Sequence, residues 1–148
     1  MLSPDLKARK KFDNGSFLKR IIVAFNTSLH GLINTFEQER SFREDVIIFL
    51  LFFPVALFSQ VSGLEKAVLI FSLFLILIAE LINTSVEVII DRISKETHPL
   101  SAMAKDIGSG VVLLAFTNAV LCWVLIFFGE AFSLSSLRGS IATAAIQR

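Results

Sequence analysis

Apolar residues fall into three long runs separated by short polar connections, and a shorter amphipathic stretch precedes them. The runs cover about residues 46–61, 67–90 and 107–128. A helix that crosses the hydrocarbon core of a bilayer needs about 20 apolar residues, so each run predicts a transmembrane helix. The first run is the shortest and Pro54 interrupts it, which neighbouring helices can accommodate by satisfying the freed backbone groups.

The amphipathic stretch covers about residues 16–38. Its large apolar side chains share an arc of about 120° on a helical wheel; they are Leu18, Ile21, Ile22, Phe25, Leu29, Leu32, Ile33 and Phe36. Such a helix beside a membrane domain is expected to lie along the lipid interface, and packing on the surface of the bundle is the alternative. The pattern therefore predicts an all-α membrane protein, with an N-terminal amphipathic surface helix and three transmembrane helices.

Composition agrees with a single membrane domain over about residues 16–130. The chain has 148 residues, of which 54% are hydrophobic and 18% are charged. Soluble domains carry about 25% charged residues, and so small a chain has too little interior to bury this many apolar side chains. The net charge of +1 and the lack of a basic stripe predict no nucleic-acid partner. Residues 1–15 and about 131–148 are polar ends that are expected to be flexible or loosely bound to the surface, and the C-terminal tail has no assigned role.

The distribution of Lys and Arg predicts the orientation. Residues 1–45 hold eight of them and the 91–106 connection holds three, whereas the 59–66 turn holds one and the residues after 129 hold two. Connections rich in Lys and Arg stay on the cytoplasmic side of a membrane. We therefore expect a cytoplasmic N-terminus and a cytoplasmic 91–106 connection, with the C-terminus outside.

Polar residues inside the second run suggest a function. Glu80, Asn83, Glu87 and Asp91 share an arc of roughly 80° when successive residues turn by about 100°. An ionised side chain at the centre of a bilayer helix costs roughly 2.5–3.5 kcal/mol, so such residues persist where they have partners. The stripe indicates a functional site. The alternative, in which Asn83 and one Glu only hold helices together, stays open.

Candidate partners stand on both sides of the second run. Lys105 and Asp106 lie at the start of the third run, with Ser109 one turn beyond Lys105. Gly108, Ser109 and Gly110 are small enough to let another helix approach closely.

A charged cluster precedes the first run. It consists of Glu39, Arg40, Arg43, Glu44 and Asp45. Read alone, the cluster is a solvated group of charges at the membrane boundary. Together with Glu87 it offers a second carboxylate, and Mg²⁺ is commonly bound by one or two carboxylates with phosphate oxygens and waters. A Mg-nucleotide would be held by side chains here, because neither GxxxxGK[ST] nor GxGxxG occurs.

Two segments resemble a known family. The stripe, Glu80 to Asp91 in ELINTSVEVIID, is similar to the signature of the small bacterial integral-membrane diacylglycerol kinases, and HPLSAMAKDIGSG resembles their second characteristic block. The similarity extends from about Arg20 to Phe128. It implies an ATP-dependent diacylglycerol kinase of the bacterial inner membrane, with Mg²⁺ as cofactor. It also implies a homotrimer of three-span protomers, with active sites shared between neighbouring subunits.

The resemblance implies a role for each matching position. Glu80 matches the catalytic base and Asn83 a residue that supports the catalytic geometry, while Glu39 and Glu87 match the carboxylates that hold the metal of MgATP. The other nucleotide positions are Arg20, Thr27, Glu96, Thr97, His98, Lys105 and Asp106. The lipid-substrate positions are Arg20, Ser28, Arg43, Glu80, Ser109 and Trp123.

Two alternatives remain at this point. Some relatives phosphorylate undecaprenol, although Arg92 and the HPLSAMAKD block are more similar to the diacylglycerol members. The stripe is also compatible with a proton or cation pathway in a small transport subunit. A transport stripe is expected to continue across the membrane, whereas Val68 to Ile78 is almost wholly apolar.

Overall fold

The computed structural model describes residues 16–93, 96 and 98–146, with side chains described as far as Gly129. These residues form four helices, α1 (Phe17–Gln38), α2 (Arg40–Phe58), α3 (Gly63–Ile93) and α4 (Pro99–Ile146). The all-α fold is confirmed for this part of the chain. The expectation for residues 1–15 and the nucleotide role of Thr97 fall outside the described residues.

The described residues divide into two units after Arg40, and α1 belongs to the first. This helix ends where Glu39 adopts an extended backbone, and the Glu39 N–H donates to the Thr35 carbonyl at 2.8 Å. None of its side chains is buried, and its apolar stripe is exposed at Ile22 and Phe25. An exposed apolar stripe suits an interfacial helix, and the location of α1 in the lipid interface stays a prediction.

Helix α2 contains the first predicted span but ends before it does. The span was expected to reach residue 61, whereas the helix ends at Phe58 with Pro54 inside it. From Val46 to Phe58 a helix rises about 20 Å, which is less than the hydrocarbon thickness of about 30 Å. The assignment of α2 as a transmembrane helix, which would make three in all, therefore stays a prediction.

The two longest helices begin at sequence-encoded caps. Helix α3 begins at Gly63, earlier than the expected start near residue 67, because Ser62 and Glu65 form a capping box. The Glu65 N–H donates to Ser62 Oγ at 3.3 Å, and the Ser62 N–H donates to Glu65 Oε2 at 2.7 Å. Pro99 is the first residue of α4, where its missing N–H costs no helical hydrogen bond. Beyond the third predicted span, the α4 backbone remains helical to Ile146.

Helices α3 and α4 pack as an antiparallel pair. Small residues allow this close approach: Ala79, Ala115 and Ala119 are buried together with Ile76. By length and composition, α3 and the Pro99–Gly129 part of α4 are each able to cross a membrane. The pairing brings the polar end of α3 beside the start of α4, and this places the site described next.

Candidate active site

A polar pocket of about 450 Å³ lies between α2, α3 and α4. It is lined by polar residues from all three helices and by apolar residues on one side. Those from α2 are Ser41, Glu44, Asp45 and Ile48, those from α3 are Glu80, Asn83 and Glu87, and those from α4 are Ser109, Val112 and Phe116. The pocket thus collects three of the four members of the predicted stripe at one place.

The α3 residues of the pocket are held at different depths. Glu80 is 5% exposed and Asn83 is 8% exposed, whereas Glu87 is half-buried. The Asn83 Nδ2 donates to Glu87 Oε1 at 3.1 Å, one helical turn away. The spacings of 3, 4 and 7 residues among Glu80, Asn83 and Glu87 therefore place them on one helix face. A carboxylate lies at each end of this face, and the amide of Asn83 positions that of Glu87.

The fourth stripe residue pairs with α4. Asp91 Oδ1 accepts a hydrogen bond from Lys105 Nζ at 2.6 Å, and both side chains are partly exposed. The expectation that Lys105 stands beside the acidic stripe is confirmed. Asp106, next to Lys105, is exposed. Lys105 and several carboxylates therefore lie at one end of the two packed helices, α3 and α4, where a charged ligand can reach them from water.

The glycines beside Ser109 differ from each other. A Cβ on Gly108 would overlap the Oδ1 of Asn83, whereas a Cβ on Gly110 would meet nothing within 4 Å. The predicted close helix approach is therefore confirmed at Gly108, and among the described residues none approaches Gly110 in this way. Ser109 lines the polar pocket, and its Oγ donates to the Lys105 carbonyl at 3.2 Å.

An apolar cavity of about 290 Å³ adjoins the polar pocket. Ile48 and Phe116 line both hollows. The other residues that line the cavity are Phe52, Leu73, Ile76, Ala119, Val120, Trp123 and Val124. The predicted lipid residue Trp123 thus lies in this second hollow. Its Nε1 donates to the buried Ser72 Oγ at 3.3 Å, and its ring contacts Phe52 edge-on at 5.2 Å between centroids.

Comparison with known proteins decides the family. The model of the prokaryotic diacylglycerol kinase family matches residues 26–127. A diacylglycerol kinase of Pseudomonas aeruginosa is 40% identical over 118 residues, which are 80% of this chain and 96% of that protein. The chain belongs to the prokaryotic diacylglycerol kinase family.

Other relatives agree. A diacylglycerol kinase of Escherichia coli K12 is 35% identical over 118 residues, covering 80% of this chain and 97% of that protein. One from Haemophilus influenzae is 34% identical over 111 residues, covering 75% of this chain and 94% of that protein. The resemblance seen in the sequence is confirmed, and with two helices able to span a bilayer the chain is a membrane protein of a lipid kinase family.

Several family positions belong to the first unit, whereas the pocket belongs to the second. Arg20, Thr27, Ser28 and Glu39 belong to the first unit, and within α1 the Ser28 Oγ donates to the Ala24 carbonyl at 2.9 Å. Their roles stay predictions.

The remaining family positions belong to the second unit. Glu96 is exposed, and His98 Nδ1 accepts from the Leu100 N–H at 3.2 Å at the start of α4. Arg43 is half-buried on α2, two residues before Asp45. The roles of these residues also stay predictions.

Asp45 is a pocket residue outside the predicted set of site residues. Its charge cluster, read alone, is expected to be solvated, but Asp45 is only 7% exposed. Burial, with a smaller contribution from the charge of Glu44, raises the pKa of Asp45 to about 6. A signal was available, since Ser41, Asp45, Ile48 and Phe52 recur at intervals of four, three and four residues, as one helix face does.

The carboxylate oxygens at the pocket suit a metal ion that also binds phosphate oxygens. Among the described residues, no group of three His, Cys, Asp or Glu side chains is arranged to hold a metal ion. Mg²⁺ does not need such a group, because it keeps waters and phosphate oxygens around one or two carboxylates. Glu87 offers one carboxylate, with Oε1 fixed by Asn83. The residues present therefore fit a Mg-nucleotide.

Proposed function

We propose that this chain transfers the γ-phosphoryl group of MgATP to the hydroxyl group of diacylglycerol, forming phosphatidic acid and ADP. One observation carries the proposal: the buried carboxylate of Glu80 lies in a polar pocket that adjoins an apolar cavity. Ile76, one turn from Glu80 on α3, lines the apolar cavity. Such a junction suits a substrate with a reactive hydroxyl on an apolar body.

Glu80 serves as the base in this reaction. As the lipid oxygen bonds to the γ-phosphorus, the bond from phosphorus to the ADP oxygen breaks, and Glu80 takes the hydroxyl proton. Phosphoryl transfer needs positioning and charge neutralisation more than covalent participation of the protein. Asn83 and Ser109 line the same pocket and orient the acceptor there. Burial of Glu80 keeps water from competing with the lipid hydroxyl.

The nucleotide binds toward the more exposed end of the stripe, at Glu87 and Asp91. Glu87 would hold Mg²⁺, which neutralises phosphate charge when bound, and Glu39 is the second metal position that the family implies. Lys105 supplies a cation that Asp91 holds in place at 2.6 Å. Arg20, Thr27, Glu96, Thr97, His98 and Asp106 are the further nucleotide positions that the family implies.

The apolar cavity holds part of an acyl chain. All of its lining residues are apolar apart from the indole N–H of Trp123, which Ser72 already accepts. Arg20, Ser28 and Arg43 are further lipid positions that the family implies. The apolar lining also argues against an ion pathway, since a conducting route needs polar groups along its length.

The proposed setting is the bacterial inner membrane, with a cytoplasmic N-terminus and an external C-terminus. The excess of Lys and Arg in residues 1–45 and 91–106 supports this orientation. We propose three membrane-spanning helices per protomer and a homotrimer with shared sites. Exposed apolar side chains along α4, such as Leu113, Leu114 and Leu125, provide surface for lipid or a neighbouring copy.

The test is ATP-dependent phosphorylation by the purified protein in lipid-containing micelles. Diacylglycerol and undecaprenol are offered in parallel, with Glu80→Gln as the blank. We expect phosphatidic acid to form in preference. Preferential formation of undecaprenyl phosphate would overturn the proposed acceptor while keeping the phosphoryl transfer. A well-folded sample that phosphorylates neither lipid would overturn the kinase function of this chain.

A further inference from the structure

Gly108 on α4 faces the polar amide of α3. It is buried, and the nearest atoms to a Cβ built at this position all belong to Asn83. That Cβ would overlap the Asn83 Oδ1 and would lie 3.4 Å from Cγ and 3.7 Å from Cα. The space that the glycine leaves is therefore filled by the carboxamide.

The carboxamide occupies this space at a cost. The Oδ1 of Asn83 is buried and accepts no hydrogen bond from the described residues. A buried polar atom without a partner is unfavourable. The reversed amide would turn its oxygen toward the carboxylate of Glu87, and the observed one donates Nδ2 to Glu87 Oε1 at 3.1 Å. Contact with Glu87 therefore decides the orientation, and Gly108 permits it.

We propose that Gly108 is a positioning residue of the nucleotide site, which acts through Asn83 to hold Glu87. The inference rests on the proposed function, in which Glu87 binds the Mg-nucleotide. The carboxamide is planar, so turning its oxygen away from a new methyl group also moves Nδ2 away from Glu87. Only the end of one side chain has to move. The fold therefore tolerates Gly108→Ala, whereas the Asn83–Glu87 hydrogen bond does not.

The experiment compares Gly108→Ala with Gly110→Ala in the full-length protein in micelles. Gly110 is the matched control, because it lies on the same helix two residues away and its Cβ would meet nothing within 4 Å. Four quantities are measured: the KM for MgATP, the KM for diacylglycerol, the Tm without ligand, and the rise in Tm that MgATP produces in the absence of lipid. The two Tm measurements need no turnover.

We expect Gly108→Ala to raise the KM for MgATP on the order of tenfold, the size of effect that losing one hydrogen bond produces. The KM for diacylglycerol should stay unchanged, the Tm without ligand should be retained, and the rise in Tm with MgATP should shrink. Gly110→Ala should match the parent in all four. In an Asn83→Ala background, Gly108→Ala should have no further effect on the rise in Tm.

Equal MgATP responses of Gly108→Ala and Gly110→Ala would overturn the role of Gly108. So would an effect of Gly108→Ala that persists in the Asn83→Ala background, because it would not pass through the amide. Failure of the proposed function looks different. In that case the parent protein would phosphorylate no lipid. The difference between the parent and Gly108→Ala in the rise in Tm with MgATP would still report whether Gly108 positions the nucleotide site.

Discussion

The polar pocket and the apolar cavity are neighbouring hollows built from the same three helices, yet their linings are opposite. On α3, Glu80 lines the first and Ile76, one turn away, lines the second. On α2 the change falls between Asp45 and Ile48. The two hollows meet at Ile48 and Phe116. The boundary between the polar pocket and the apolar cavity is therefore about one helical turn thick.

The difference also concerns how each hollow is held. The polar pocket depends on hydrogen bonds and on an amide seated against a glycine, and it contains carboxylates that are costly to bury. The apolar cavity depends on ring contacts and on one hydrogen bond, from Trp123 to Ser72. A substitution in the first is expected to alter turnover and pH dependence, whereas one in the second is expected to alter lipid choice.

The largest effect is expected for Glu80→Gln. Glutamine keeps the shape of the side chain but cannot take a proton, and a general base contributes about 10²- to 10⁴-fold to a rate. Phosphatidic acid formation should fall by about that factor, while the Tm in micelles stays close to that of the parent. Glu37→Gln, an exposed carboxylate of α1 outside the candidate set, is the control. Retention of more than a small fraction of the parent rate would remove Glu80 as the base.

A smaller effect, measured as a change in the pH dependence of stability, is expected for Asp45→Asn. Because burial raises the pKa of Asp45 from 3.8 to about 6, the folded protein holds this proton more tightly than the unfolded chain. Stability from this group is therefore fully present below about pH 4 and is lost as the pH rises to about 6. Asparagine lacks this dependence. The Tm of Asp45→Asn relative to the parent should rise between pH 4 and pH 7.

Glu44→Gln separates the two causes of the shift. Burial is the larger cause and the charge of Glu44 the smaller, so this variant should keep most of the pH dependence. The measurement is thermal unfolding in micelles from pH 4 to pH 8. Glu80 and Glu87 line the same pocket and are present in every variant. A pH dependence that survives in Asp45→Asn but disappears in Glu44→Gln would contradict the assignment.

The stripe was predictable from the sequence because it lies on one helix. Periodicity alone places Glu80, Asn83 and Glu87 on a common face, and the family match adds the chemistry. Contacts between helices were harder. Asp45 resembles a solvated charge until the packing of α2 buries it, and the sequence shows Gly108 and Gly110 as equivalent although only one faces Asn83.

Helix ends were predicted unevenly for a related reason. Pro99 signals the start of α4 by itself. The start of α3 depends on a reciprocal pair, Ser62 with Glu65, and an argument from apolar runs alone passes over such polar caps. Helix α2 carries its charged residues within 40–45, so its apolar part is shorter than the helix itself.

The smallest effect is expected in the apolar cavity, for Ser72→Ala. The Ser72 Oγ accepts the Trp123 N–H and donates to the Leu69 carbonyl at 2.7 Å. Interhelical hydrogen bonds of membrane proteins contribute about 0.6 kcal/mol on average, so the Tm should fall by only a few degrees. Trp123, freed from this contact, should define the end of the cavity less sharply, and the preference among diacylglycerols of different chain length should weaken.

Two variants make this prediction decisive. Ser85→Ala is the matched control, because Ser85 is an exposed serine of α3 whose Oγ donates only to the Leu81 carbonyl at 2.8 Å. Trp123→Phe removes the N–H but keeps an aromatic ring, so it should reproduce the change in chain-length preference, and adding Ser72→Ala to it should change little more. If Ser72→Ala and Trp123→Phe lowered the rate equally for every chain length, the cavity would support the fold without selecting the lipid. The contrast with the polar pocket would then concern stability alone.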